Sequence, residues 1–242
     1  MNFAEKFHFN LTLTFLIAVS IFGVVLSNFL VVNPYNSEDD VAIRNLAASS
    51  AFSFICMLGI FAALLPNFRK RLSKHKEDKV HLFNNKEIHN KSWVAHHPSC
   101  KSYSSHILKI GKKKFCATCS GLLIGAVIAL LGTVLWFSWN WRVLDPFVLV
   151  SVGSTAVVGG LLQSALPRMC NGIARFFGSI VLVLGTFLMF ISINEAGKSI
   201  LVDLFFIALS FLWIMTKIAL SQNDHQQICS NCSEDSCSCY KK

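Results

Sequence analysis

The sequence predicts an all-α, polytopic integral membrane protein of about six transmembrane helices, with a cytoplasmic loop containing cysteine and histidine. Three observations predict it. Only 14% of the 242 residues are charged and 53% are hydrophobic, whereas a soluble domain carries about a quarter charged residues. Six apolar stretches are each long enough to cross a hydrocarbon core, which takes about 20 helical residues. The basic residues are strongly biased to one side of those stretches.

The six stretches are residues 11–32, 46–65, 119–139, 146–166, 175–193 and 200–220. Backbone polar groups find no water inside lipid, so each is read as a helix. The first exceeds the roughly 7–15 residues of a signal-peptide apolar region and has no clear small-residue cleavage site, so it is read as a retained span. Proline marks four boundaries, at Asn33-Pro34, Pro66-Asn67, Asp145-Pro146 and Leu166-Pro167. It lacks a donor N–H and suits a helix start or the residue just past an end.

Orientation follows from charge. Residues 67–114 hold 13 of the 22 basic residues and three acidic ones. With that loop inside, Lys6, Arg168, Arg175, Lys217, Lys241 and Lys242 also fall inside, and only Arg44, Arg142 and Lys198 fall outside. Both termini are then cytoplasmic. The chain divides into residues 1–66 (two spans), 67–114 (the basic loop), 115–220 (a four-helix membrane unit) and 221–242 (a cysteine-rich tail). The net charge of +9 is explained by topology and by attraction of the basic loop to the bilayer's anionic headgroups. Nucleic acid is not expected, because the basic loop shows no interleaved aromatic platform.

The loop ends in HHPSCKSYSSHILKIGKKKFCATCSG, with His96, His97, Cys100, His106, Cys116 and Cys119. Two cysteines separated by two residues bend around one ion, and zinc asks for four thiolate or imidazole ligands. His96 or His97 with Cys100, about 15 residues upstream, is the candidate second pair. The competing reading of Cys116 and Cys119 is a redox pair, since a helix N-terminus and nearby lysines activate a thiol. A third is that they are small residues at a helix start with no chemistry. The tail adds Cys229, Cys232, Cys237 and Cys239, with His225 nearby. These form a Cys₄ site of their own, supply ligands to the loop, or lie in a disordered tail.

The residues quoted from this loop resemble the uncharacterised prokaryotic membrane proteins grouped as domain of unknown function 2085. His96, Ser102, Cys116, Ala117, Cys119 and Gly121 match that family's Cys-His-Gln, Pro-x-Arg-Ser-Phe and Cys-Ala-Arg-Cys-Thr-Gly pattern directly, and Gln163, Arg168 and Gly172 look like a later element. The departures are Ala95 for the first cysteine, His97 for the glutamine, Lys101 for an arginine and Thr118 for the arginine between the cysteines, while Cys100 is extra. The resemblance covers residues 95–178, roughly a third of the chain, and implies a shared site without a known activity.

Other polar residues are read modestly. Asp203 is placed near the outer end of the sixth span, where an interfacial acid costs little, and Asn28 and Gln163 near span ends. Cys56 is read as a packing residue and Cys170 as a weak thiol candidate. Gly121 and Gly125 allow close helix approach, with Gly153, Gly159 and Gly160 as a matching surface. No phosphate loop, metalloprotease motif or nucleophile motif is present, so an enzymatic role is left open. Three functions follow as expectations. One is a membrane protein with a cytoplasmic zinc-type site, structural or sensory. The second is a membrane thiol-disulfide oxidoreductase, and the third is a scaffold without chemistry.

Overall fold

The computed structural model describes residues 3–34, 40–77, 93–94, 97–98, 101–110, 113–139, 145–166, 171–197 and 199–230. Within them the chain forms six helices long and apolar enough to cross a membrane. They are α1 (Phe3–Val32), α2 (Val41–Glu77), α3 (Ala117–Trp139), α4 (Pro146–Ala165), α5 (Gly172–Gly197) and α6 (Ile200–Ser230). Between α2 and α3 lie two small antiparallel ladders and a 3-10 turn, which the all-helical expectation did not include. β1 (Trp93–Val94) pairs with β2 (His97–Pro98), and β3 (Ile107–Ile110) pairs with β4 (Lys113–Cys116).

Local chemistry accounts for several ends. Asp145 caps α4 by accepting from Phe147 N at 2.7 Å, and Pro146 follows at the first helical position, where its missing N–H costs nothing. Asn171 caps α5 by accepting from Ala174 N at 2.9 Å. Pro66 does not end α2 as its position suggested; the helix runs through it to Glu77. The residues that follow it, rich in arginine and lysine, favour helix strongly enough to carry it past the proline. α6 likewise outlasts its apolar stretch, so the first ten residues of the cysteine-rich tail are helical.

α5 is the pivot, packing against α1, α3, α4 and α6. Helices in lipid associate by van der Waals packing rather than by the hydrophobic effect, so small residues let backbones meet. A Cβ added at Gly121 would land on the Phe176 carbonyl oxygen and lie 2.8 Å from Ser179 Cβ. The α3 glycines therefore face α5. The α4 glycines face a different side of α5: a Cβ at Gly153 would lie 2.7 Å from the Gly185 oxygen, and one at Gly185 would lie 2.8 Å from the Gly153 oxygen. The two glycine sets thus do not match each other, and Gly159 faces open space. At mid-depth the core is aromatic. Phe52 of α2 stacks on Phe190 of α5 at 4.4 Å, and Phe206 meets Trp213 edge-on at 5.6 Å. The Trp213 indole donates to the Ser20 carbonyl of α1 at 3.2 Å, which satisfies its one polar atom.

Candidate functional site

The β3–β4 hairpin delivers the Cys-x-x-Cys segment to one end of the bundle. Its register pairs Ile107 with Cys116 and Ile110 with Lys113. β4 ends at Cys116, and α3 begins at the next residue, Ala117, which is fully buried. Cys119 is one helical turn on, so both thiols lie on the same side of the junction. The two side chains share a hydrogen bond, with Cys116 buried and Cys119 half-buried. Both are free thiols.

The hairpin is seated on the bundle through close backbone contact and one ionic cluster. A Cβ added at Gly172, the first residue of α5, would lie 2.9 Å from the Ile107 oxygen, so only glycine lets the hairpin approach this helix start. One turn into α5, Arg175 Nη1 donates to Asp224 Oδ2 of α6 at 2.7 Å. His106, the last residue of the 3-10 turn Lys101–His106, brings Nε2 to 3.1 Å from the same oxygen. His106 and Arg175 therefore converge on one carboxylate oxygen. Tyr103 sets its ring edge-on to His106 at 5.7 Å. Tyr103, His106, Arg175 and Asp224 are all buried. A buried carboxylate needs such partners, because an isolated charge out of water neutralises or destabilises the fold.

The cluster belongs to a row that crosses the bundle. Asp203, Ser210, Lys217 and Asp224 recur every seven residues along α6, and all four are buried. Lys217 Nζ donates to the Gly160 oxygen of α4 at 3.2 Å. At the far end Asp203 accepts from Asn194 Nδ2 at 3.0 Å and lies 3.5 Å from Arg44 Nε, while Arg44 Nη2 donates to the Asn194 carbonyl at 2.7 Å. Asp203, in the first turn of α6, is 1% exposed and tied to α2. Lys217 and Arg44, both counted in the charge bias, are likewise buried. The seven-residue spacing was the signal that would have revealed the row, since 3.6 residues per turn return every seventh residue to the same face.

Of the candidate metal ligands, Cys116 and Cys119 are brought together. His97 lies in β2 opposite Val94, and Cys229 lies in the last turn of α6. His96, Cys100, Cys232, Cys237 and Cys239 lie outside the described residues. Among the described residues no three histidine, cysteine, aspartate or glutamate side chains converge to hold a metal ion. Compared with known protein families, curated proteins and solved structures, the chain matches none. The resemblance around Cys116 and Cys119 is thus carried by the quoted residues alone.

Proposed function

We propose that the chain is a multi-pass membrane protein, both termini cytoplasmic, whose hairpin end carries a zinc-type site with a structural or sensory role. The observation that carries this reading is the convergence of the Cys116 and Cys119 sulfurs at a strand-to-helix junction. Paired sulfurs at such a junction form half of a tetrahedral thiolate–imidazole site. His96 and Cys100 are the candidates for the other half, and His97 or a tail thiol is the substitute. The His106–Asp224–Arg175 cluster would join the hairpin to α5 and α6, so occupancy of the site would bear on helix packing.

The same sulfur contact favours a second reading, a dithiol that cycles with a disulfide at a helix start. Metal analysis separates the two. Wild-type protein in detergent is compared with Cys116→Ser/Cys119→Ser and with a truncation after Ser230 that leaves Asp224 in place. About one metal per chain, lost in the double variant, is the expected result. Retention after truncation removes Cys232, Cys237 and Cys239 from the ligand set. A metal-free protein whose thiols oxidise and reduce reversibly replaces the first reading with the second.

A further inference from the structure

Cys119 belongs to two features at once. It shares a hydrogen bond with Cys116 at the strand-to-helix junction, and it lines a cavity of about 170 Å³ between α2, α3, α5 and α6. A dithiol therefore forms part of the wall of a space enclosed by membrane-type helices. On the α2 side that wall includes Phe52, Gly59 and Ala63. Small residues in membrane helices normally bring backbones together. Here nothing lies within 4 Å of a Cβ built at Gly59, and the space stays open.

The wall restricts what can reach the sulfurs from this side. None of the described residues that line it carries a charge. An ionised molecule entering would lose its hydration without gaining a partner, which excludes glutathione disulfide and other charged oxidants. Size restricts it further, since an apolar cavity near 150 Å³ holds one benzene-sized ring. Phe52 and Trp213 supply aromatic surface for such a ring. Thr186 and Ser210 also reach the lining, and their hydroxyls donate to the Leu182 and Phe206 carbonyls at 2.9 Å. A hydroxyl that donates keeps its capacity to accept, so O–H groups on a bound ring would find acceptors there.

The dithiol decides the chemistry. Closing two thiols to a disulfide releases two electrons and two protons, and the group that takes them must accept both kinds. Among uncharged, lipid-soluble, ring-sized molecules, quinones do so: their two carbonyl oxygens become the two hydroxyls of a quinol. We infer that the cavity is a quinone site whose occupant oxidises Cys116 and Cys119. Both S–H bonds break and one S–S bond forms. The two electrons and two protons pass to the quinone, and no other reactant is needed. The inference rests on the membrane reading and on the dithiol reading of the pair. A zinc ion on the same sulfurs would block the step.

The test uses the full chain in detergent, stripped of metal by a chelator, reduced, and held without oxygen. The oxidant is decylubiquinone, whose fully substituted ring leaves no position for thiol addition. Diamide, a water-soluble thiol oxidant, is run in parallel. Wild type is expected to reduce about one quinone per chain, the stoichiometry of a two-electron couple, with a Cys116–Cys119 disulfide found by peptide mass spectrometry. Gly59→Phe and Ala63→Leu, each shown by circular dichroism and gel filtration to stay folded, fill the cavity. They should lose the reaction with decylubiquinone while diamide still closes the disulfide. Undiminished quinone reduction by these folded variants overturns the cavity as the site. A pair that diamide oxidises and decylubiquinone does not overturns the quinone assignment and leaves the dithiol reading standing. A pair that neither reagent oxidises overturns both.

Discussion

Asp203 and Asp224 lie three heptads apart on one buried face of α6, and each is held by an arginine from another helix. Arg44 reaches Asp203 from α2, and Arg175 reaches Asp224 from α5. α6 is thereby pinned at both ends to different neighbours, with Lys217 bonded to α4 between them. Ionic groups of this kind specify which helices meet and in what rotation, even where their net stabilisation is small.

The hairpin-end cluster predicts an asymmetric response to substitution. Asp224→Ala leaves the Arg175 and His106 partners buried without their shared carboxylate, and breaking a buried pair from one side costs about 3 kcal/mol. The paired replacement Arg175→Met/Asp224→Leu removes both charges and recovers most of that loss. Thermal unfolding in detergent reads both. A double variant no more stable than Asp224→Ala would show that the charges themselves are required for the fold.

At the opposite end, Arg44 and Asp203 share Asn194 as a common partner, so their contributions do not add. Single substitutions to alanine, Arg44→Ala and Asp203→Ala, are each expected to destabilise. The double variant then falls short of their sum by about 1–3 kcal/mol. Asn194→Leu removes the amide donor to Asp203 but keeps the backbone carbonyl that Arg44 donates to, so it destabilises while leaving the Arg44–Asp203 coupling in place. Strict additivity of Arg44→Ala and Asp203→Ala would refute the network.

Six spans were legible in the sequence because apolar runs of spanning length, separated by charge, have few alternatives in a chain of this composition. The junction at Cys116 and Cys119 was legible for the same reason, as a break between basic loop and apolar helix. Partner choice was not. Gly121 and Gly153 announce close approach, but one helix face says nothing of which neighbour fills it, and both turned out to face α5. Asp203 and Arg44 looked like separate loop-end charges because their pairing joins α2 to α6 across most of the chain.

Those glycine contacts predict opposite signs for one substitution. Gly121→Ala and Gly153→Ala push a methyl group into backbone carbonyls on α5, and overpacking of this kind costs about 1–3 kcal/mol. Gly159→Ala meets nothing within 4 Å and replaces a poor helix former by the best one, a gain of about 1 kcal/mol. Unfolding midpoints of the three variants should therefore straddle wild type. A destabilised Gly159→Ala would mean that this face of α4 meets something that fills it.

Metal binding at Cys116 and Cys119 predicts a pH dependence whose sign follows from the ligands. Thiolate binds the ion and thiol does not, so protons compete with metal and affinity falls as pH falls. While two thiols must each lose a proton, the dissociation constant should rise about 100-fold for each unit of acidification. Competition with a chromogenic chelator from pH 8 down to pH 6 measures it. Alkylation gives an independent reading: bound zinc should shield Cys116 and Cys119 from maleimide, and a chelator should release both together. Cys56, 5% exposed and within α2, serves as the internal control whose labelling zinc leaves unchanged. A dissociation constant that stays level with pH, or shielding that survives the chelator, would remove these two cysteines from the ligand set.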